Sequence, residues 1–97
     1  MSKYKILFSR GALLDMRDAR TWYNLQQKGL GKRFIEDVRK TVTSIKSNPY
    51  FASVKFENIR TAACETFPYA VHYEIDEEEM LVRMVSIFHF CRKPYWL

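Results

Sequence analysis

The stretch Phe67-Pro68-Tyr69-Ala70-Val71-His72-Tyr73-Glu74-Ile75 decides the fold of this chain. After the break at Pro68, large apolar residues occupy every second position, at Tyr69, Val71, Tyr73 and Ile75. Side chains at every second position of a strand point to the same face of a sheet. Residues 69–75 are therefore predicted to form a strand with one buried face.

Two more strands are predicted on either side of this one. Residues 76–79, with the sequence Asp-Glu-Glu-Glu, have the composition of a solvated turn. Residues 80–89 are apolar on both faces, which is typical of a central strand. Residues 55–64 form the third candidate strand, which the segment 66–68 ends. Because the connections are short, we expect an antiparallel meander.

The first half of the chain has helical spacing instead. Residues 4–8 form a short β-type segment, and residues 12 to about 28 then place apolar side chains along one helical stripe. That stripe consists of Leu13, Met16, Ala19 and Tyr23. A second helix is predicted over residues 32–46, and its apolar face consists of Phe34, Val38, Val42 and Ile45. Gly29 and Gly31 predict a tight turn between the helices, and Pro49 disfavours helical geometry at the residue before it.

The predicted element order is β-α-α-β-β-β. A helix hairpin followed by a meander predicts a two-layer α+β fold, with the hairpin packed on one face of a mainly antiparallel sheet. A length of 97 residues suits a single domain spanning 1–97. We expect the opposite sheet face to stay open and basic, as a surface for a macromolecule.

Charge and composition narrow the class of protein. Sixteen Lys and Arg against 11 Asp and Glu give a net charge of +5, which suits a polyanion or an acidic protein as partner; a basic surface that serves only solubility is the alternative. No apolar run approaches the roughly 20 residues of a membrane span. The first ten residues are too short and too charged for a signal peptide, so a cytoplasmic location is expected.

No metal site and no cofactor are predicted. The chain has four side chains that commonly bind zinc, namely Cys64, His72, His89 and Cys91. Structural zinc sites use closely spaced ligand pairs, and this set lacks them apart from His89 and Cys91. The two thiols are expected to be small core or edge residues in reduced form.

Several blocks taken together resemble the RelE/ParE superfamily of toxins from type II toxin–antitoxin systems. The blocks are Ala19-Arg20-Thr21-Trp22-Tyr23, residues 34–38, Ser47-Asn48-Pro49, Phe67-Pro68-Tyr69-Ala70-Val71-His72-Tyr73, and residues 85–89 followed by Arg92-Lys93-Pro94-Tyr95-Trp96. The last two resemble the plasmid-stabilisation branch. The resemblance covers essentially the whole chain and implies the RelE/ParE toxin fold.

The resemblance also implies a function and a partner. It implies a bacterial growth inhibitor that a cognate antitoxin neutralises. Two assemblies are left open, a dimer and a toxin–antitoxin hetero-oligomer. A ParE-like toxin that inhibits DNA gyrase is favoured. The alternatives are a RelE-like, ribosome-dependent mRNA endoribonuclease and an inactive relative that only binds an antitoxin.

Cleavage of RNA by its 2′-hydroxyl needs a base, an acid and cations around the phosphate. Under that alternative the candidate catalytic residues are His89, Arg60, Arg83 and Tyr95. The resemblance places Arg60 where the RNA-cleaving branch has a phosphate-contacting arginine. Arg83 and His89 are six positions apart, so they share a face of the sheet if no bulge intervenes.

A second set of residues is predicted to bind a nucleic acid or another target. This set is Arg60, Arg83, Arg92, Lys93 and Trp96. Two of the candidates also have structural interpretations. His89 is equally suited to packing against Tyr95 or Trp96, and Arg83 to an ion pair with an acidic residue.

Overall fold

The computed structural model describes residues 3–89. Its elements follow the order β1 (Lys5–Phe8), α1 (Arg10–Gln26), α2 (Leu30–Ser47), β2 (Val54–Phe56), β3 (Ile59–Ala63), β4 (Tyr69–Asp76) and β5 (Leu81–His89). The predicted α+β order is confirmed, with one strand more than expected.

Local signals fix where the two helices begin and end. The Ser9 hydroxyl accepts a hydrogen bond of 3.0 Å from the backbone N–H of Ala12, which caps α1. Gly29 precedes α2 with φ of 87°, a left-handed conformation that glycine adopts without steric cost. At the other end, α2 stops immediately before the Asn48-Pro49 pair.

The helices approach closely at the start of α2. A Cβ atom on Gly31 would lie 2.6 Å from the Arg20 carbonyl oxygen and 2.7 Å from the Asn24 side chain. The Asn24 side chain also accepts a 2.8 Å hydrogen bond from the Gly31 N–H. Only glycine permits this contact, so Gly31 sets the distance between the helices.

The sheet has five strands in the order β1-β5-β4-β3-β2. The pairs β2–β3, β3–β4 and β4–β5 are antiparallel, and β1 pairs in parallel with β5. The expectation of a mainly antiparallel sheet is therefore confirmed. β5 lies inside the sheet as predicted, although only one of its faces is fully buried.

The strand predicted over residues 55–64 is in fact a hairpin. β2 and β3 are joined at Glu57 and Asn58, and Glu57 has φ of 47°. A non-glycine residue in this region is uncommon, and Glu-Asn is not one of the usual hairpin-turn pairs. The sequence at Glu57 and Asn58 therefore does not predict a hairpin turn.

The core lies between the helix hairpin and one sheet face. An aromatic cluster joins the layers, and it consists of Tyr23 on α1, Phe34 on α2, Phe67 in the turn before β4 and Tyr69 at the start of β4. Its ring centroids are 4.8 to 5.6 Å apart in these contacts. Such contacts stabilise beyond the area that they bury. The two-layer architecture is confirmed.

The apolar stripe of α1 is displaced from the predicted one. Ala12, Ala19 and Tyr23 are buried and Met16 is partly buried, whereas the Leu13 residue is 54% exposed. Ala12 leads the buried stripe at spacings of 4, 3 and 4 residues. Sequence reasoning favoured the larger leucine over the alanine beside it, and the prediction for Leu13 was wrong.

Candidate functional site

An irregularity in β5 determines where its functional side chains point. Between the pairs Tyr73–Met84 and His72–Ser86 the register shifts, so that β5 has one extra residue at this bulge. α1 holds the bulge from both sides. The Ser9 hydroxyl donates a 2.9 Å hydrogen bond to the Val85 carbonyl oxygen, and an Asp15 carboxylate oxygen accepts one of 3.0 Å from the Ile87 N–H.

The bulge separates Arg83 from His89. Before it, Val82 and Met84 are buried under the helices and Arg83 points to the opposite, open face. After it, Ile87 is buried, so His89 two residues later points to the helix side. The condition under which Arg83 and His89 would share a face is not met.

Arg60 is engaged in holding the loop that follows α2. Its guanidinium donates a 2.5 Å hydrogen bond to the Ala52 carbonyl oxygen and lies 4.9 Å from the centroid of the Tyr50 ring. Arg60 pairs across the sheet with Tyr73, whose hydroxyl donates a 2.6 Å hydrogen bond to the Pro49 carbonyl oxygen. Burial raises the pKa of this Tyr73 hydroxyl. Both side chains attach residues 49–52 to the helix side of the sheet.

Arg83 forms an ion pair on the open face. Its guanidinium donates a 2.6 Å hydrogen bond to a Glu74 carboxylate oxygen, and the other oxygen accepts one of 3.4 Å from the Asn58 amide. These contacts agree with the interpretation of Arg83 as a partner in an ion pair with an acidic residue. A role in binding phosphate stays a prediction.

His89 lies at the end of β5 beside a cleft of about 350 Å³. Its ring packs edge-on against Tyr69 with centroids 5.1 Å apart. Asp18 and Trp22 of α1 line the same cleft. The His89 Nδ1 atom is buried, and within residues 3–89 no group forms a hydrogen bond with it. Packing of His89 against Tyr95 or Trp96 stays a prediction, because both lie outside the described residues.

The remaining candidate residues lie outside the described part of the chain, and the potential zinc ligands within it lie apart. Arg92, Lys93, Tyr95, Trp96 and Cys91 lie outside the described residues. Cys64 is buried beside Thr41 on the helix side, where burial raises its thiol pKa, while His72 lies on the open face. Within residues 3–89, no three His, Cys, Asp or Glu side chains come together to hold a metal.

The open sheet face carries a small aromatic cluster around His72. Its imidazole Nδ1 lies 3.1 Å from the Ser86 hydroxyl, and its ring centroid lies 4.2 Å from that of Phe88 and 5.8 Å from that of Phe56. Burial, and to a lesser extent the charge of Lys55, lower the pKa of His72. We call these four residues, His72, Ser86, Phe88 and Phe56, the His72 cluster.

The positive charge of the described residues is not concentrated on the open face. There, Arg83 is paired with Glu74 and the acidic turn 76–79 lies at one end. The solvent face of α2 is the basic surface instead, with five exposed cations at Lys32, Arg33, Arg39, Lys40 and Lys46 against one exposed carboxylate at Glu36. Among the described residues, the excess of cations therefore lies on a helix and not on the sheet face, while Arg92 and Lys93 lie outside these residues.

The solvent face of α1 has the opposite character. Its exposed large apolar residues are Leu13, Leu14, Trp22 and Leu25, and Leu25 is 78% exposed. Leu14 and Leu25 are eleven positions apart, close to three helical turns, and therefore lie on one line along the helix. These side chains give the solvent face of α1 an apolar character. In the sequence these residues stand out only as apolar residues that lie off the core stripe.

Asp37 is a second residue that sequence reasoning missed. It is 4% exposed, and its carboxylate accepts hydrogen bonds from the backbone N–H groups of Thr66 (3.1 Å) and Phe67 (2.7 Å). The carboxylate thus ties α2 to the turn between β3 and β4. Burial of a carboxylate beside Val38 was not predicted, because a charged residue on a helix is usually exposed.

Comparison with known proteins identifies the relatives of this fold. Residues 6–92 match the family model described as the ParE toxin of the type II toxin–antitoxin system parDE. No curated protein gives a significant match.

Solved structures of toxin–antitoxin systems share the fold. The chromosomal ParDE system from P. aeruginosa superposes with a TM-score of 0.77 at 12% identity, covering 89% of this chain and 95% of that one. The isolated E. coli RelE toxin gives 0.71 at 17% identity, covering 96% and 90%. The intact E. coli RelBE complex gives 0.67 at 17% identity, covering 87% and 93%.

Within the described residues, no helix is long and apolar enough to cross a membrane. The match to the family model spans most of the chain, from the second residue of β1 to beyond the end of β5. The architecture of two helices on a five-stranded mixed sheet agrees with it. The chain therefore belongs to the ParE family of type II toxin–antitoxin toxins.

Proposed function

We propose that this toxin inhibits growth by binding DNA gyrase in the cytoplasm and does not cleave RNA. The observation that supports this is the dispersal of the candidate nuclease residues among the described part of the chain. Arg60 lies on the helix side and holds a loop, Arg83 lies on the open face in an ion pair, and His89 lies at the far end of the helix side. General acid–base catalysis needs such groups around one phosphate.

The solvent face of α1 is the surface that we assign to the antitoxin. Leu14 and Leu25 provide apolar anchors, and an apolar cleft of about 190 Å³ lies between β1 and the two helices. The residues that line this cleft are Phe8, Met16, Ile35, Val38 and Val42, with Arg39 at its α2 side. An antitoxin segment that folds on binding would bury both surfaces, as amphipathic segments do when they dock into hydrophobic grooves.

The test of the target uses two readouts on one toxin preparation. Purified toxin is added to gyrase in a plasmid supercoiling assay, and transcripts from cells expressing the toxin are mapped by primer extension. We expect loss of supercoiling, an SOS response and intact transcripts. Codon-linked cuts in the transcripts with unimpaired supercoiling would reject gyrase in favour of the mRNA endoribonuclease.

Two controls complete this test. Co-expression of the antitoxin encoded beside the toxin should restore growth and supercoiling, since the antitoxin neutralises the toxin. Expression without antitoxin must slow growth. Normal growth of cells that accumulate folded toxin would favour the inactive, antitoxin-binding relative.

A further inference from the structure

The solvent face of α2 presents an excess of positive charge. Lys32, Arg33, Arg39 and Lys40 are all exposed, and within residues 3–89 none of them forms an ion pair. Glu36 lies on the same face and is not within ion-pairing distance of any of the four. Exposed cations without partners attract a polyanion more strongly than cations that are already paired.

The four side chains form two rows along the helix. Lys32 and Arg39 are seven residues apart, as are Arg33 and Lys40. Seven residues are close to two turns, so each pair lies on one side of α2 at a separation of about 10.5 Å. Lys46 extends the first row by one more step of seven residues.

The same face lacks the groups that anchor a protein partner. Among the described residues, the exposed large hydrophobic side chains lie on α1, β1, β2 and residues 50–51, and none lies on α2. The cleft beside α2, of about 890 Å³, is lined by nine polar or charged residues and Phe67, and its charged residues are three cations (Arg33, Arg39 and Lys40) and three acidic residues (Glu36, Asp37 and Glu65). Protein interfaces depend on aromatic and apolar anchors, whereas protein–DNA interfaces are polar and strongly positive.

We propose that the solvent face of α2 binds the phosphate backbone of duplex DNA without reading its sequence. The step of about 10.5 Å along each row is close to the roughly 12 Å width of the DNA major groove, so successive cations reach phosphates on both of its walls. Duplex RNA has a deep and narrow major groove that does not match this step. The choice of DNA rests on the proposed function, because gyrase holds duplex DNA, and α2 would fix the toxin on the enzyme–DNA complex.

Fluorescence anisotropy with a labelled 20-base-pair DNA duplex of mixed sequence tests this proposal. Four phosphate contacts give a slope of about −3.6 for log affinity against log salt, which is about 150-fold between 50 and 200 mM salt. The variant Lys32→Gln/Arg33→Gln/Arg39→Gln/Lys40→Gln should lose this part of the slope and bind at least tenfold more weakly at 50 mM salt.

The matched control removes four exposed cations outside α2, in the variant Lys3→Gln/Lys5→Gln/Arg10→Gln/Lys55→Gln. It has the same net charge as the α2 variant, so equal losses in both variants would overturn a specific role of α2. Binding of a 20-base-pair RNA duplex at least as tightly as the DNA would overturn the choice of DNA. A loss of affinity for the antitoxin, with DNA binding unchanged, would assign the face to an acidic protein segment.

Two assays distinguish a failure of the α2 proposal from a failure of the gyrase proposal. Anisotropy measures DNA binding without gyrase, and the supercoiling assay measures inhibition of gyrase. If wild-type toxin inhibits gyrase and the α2 variant binds DNA as well as wild type does, the α2 proposal alone fails. If wild-type toxin binds DNA through α2 but leaves supercoiling unimpaired, the gyrase proposal fails.

Discussion

The two helices of the hairpin differ in what they present to solvent. α1 exposes Leu13, Leu14, Trp22 and Leu25 and has charges of both signs between them. Within the described residues, α2 exposes no large hydrophobic side chain and has a strong excess of cations. Both helices bury an apolar stripe against the same sheet, so burial in the core alone does not explain the difference between their solvent faces.

The difference indicates that the hairpin serves two partners. An apolar face gains free energy when it is covered, at roughly 25 cal/mol per Å² of apolar surface removed from water. A face of unpaired cations gains little from being covered by apolar groups and gains from a polyanion. The helices also attach to the sheet at different places, α1 through Asp15 to β5 and α2 through Asp37 to the turn before β4.

The largest effect is expected from placing charge on the α1 face. The variant Leu14→Asp/Leu25→Asp should weaken antitoxin binding by about 4 kcal/mol, or roughly 1000-fold, because each leucine acts as a buried anchor worth about 2 kcal/mol. Isothermal titration calorimetry with the full antitoxin measures this loss.

The α2 variant with four glutamines is the counterpart in the same titration. It should keep its antitoxin affinity within about tenfold, since exposed charges at the rim of an interface contribute little. A larger loss from the α2 variant than from the α1 variant would reverse the assignment of the two faces.

The next largest effect is expected on the free energy of unfolding, at the carboxylates that attach each helix to the rest of the fold. Asp37→Ala should destabilise the protein by about 3 kcal/mol, because it leaves the buried N–H groups of Thr66 and Phe67 without a charged acceptor. Asp15→Ala removes a single hydrogen bond, to Ile87, and should cost about 1 kcal/mol. Urea unfolding monitored by circular dichroism gives both values.

Asp37→Asn separates the loss of charge from the loss of the acceptor. Asparagine keeps one acceptor oxygen, so this variant should fall between wild type and Asp37→Ala. Equal stability of wild type and Asp37→Ala would mean that α2 is not attached through this carboxylate.

Elements with a regular period were predictable from the sequence. Phe34, Val38 and Ile45 gave the buried face of α2 because three large residues recur at helical spacing, and all three are fully buried. The α1 stripe was misplaced because its first member is the small Ala12. The β2–β3 turn was missed because Glu57 adopts a positive φ that its residue type does not suggest.

The candidate site was less predictable for a physical reason. Two residues of a strand share a face only if the strand pairs regularly with its neighbour along the whole segment between them. A single bulge in that segment moves one of the two side chains to the other face. The bulge in β5 depends on Ser9 and Asp15, which are more than 70 positions away in the chain. No pattern within residues 80–89 alone contains that information. The placement of the basic surface likewise depended on the fold.

A smaller effect is expected at the contact between the helices. Gly31→Ala should cost about 2 kcal/mol, because its Cβ would overlap the Arg20 carbonyl oxygen and force the helices apart. Gly29→Ala has open space around the new Cβ and should cost only about 1 kcal/mol through its left-handed φ. Thermal unfolding of both variants measures the difference. A smaller loss for Gly31→Ala would show that the two helices separate easily.

The smallest effect is a pH dependence on the sheet face that neither helix covers. The pKa of His72 is lowered in the folded protein by burial and by Lys55, so folding favours the neutral imidazole. The stability that this contributes is complete above the unfolded pKa of about 6.5 and is lost as the pH falls through the lower folded pKa. We therefore expect His72→Gln to reduce the loss of stability between pH 7.5 and pH 5, as measured by urea unfolding at each pH. An unchanged loss in this variant would mean that other groups carry the pH dependence and that the His72 cluster does not penalise the charged imidazole.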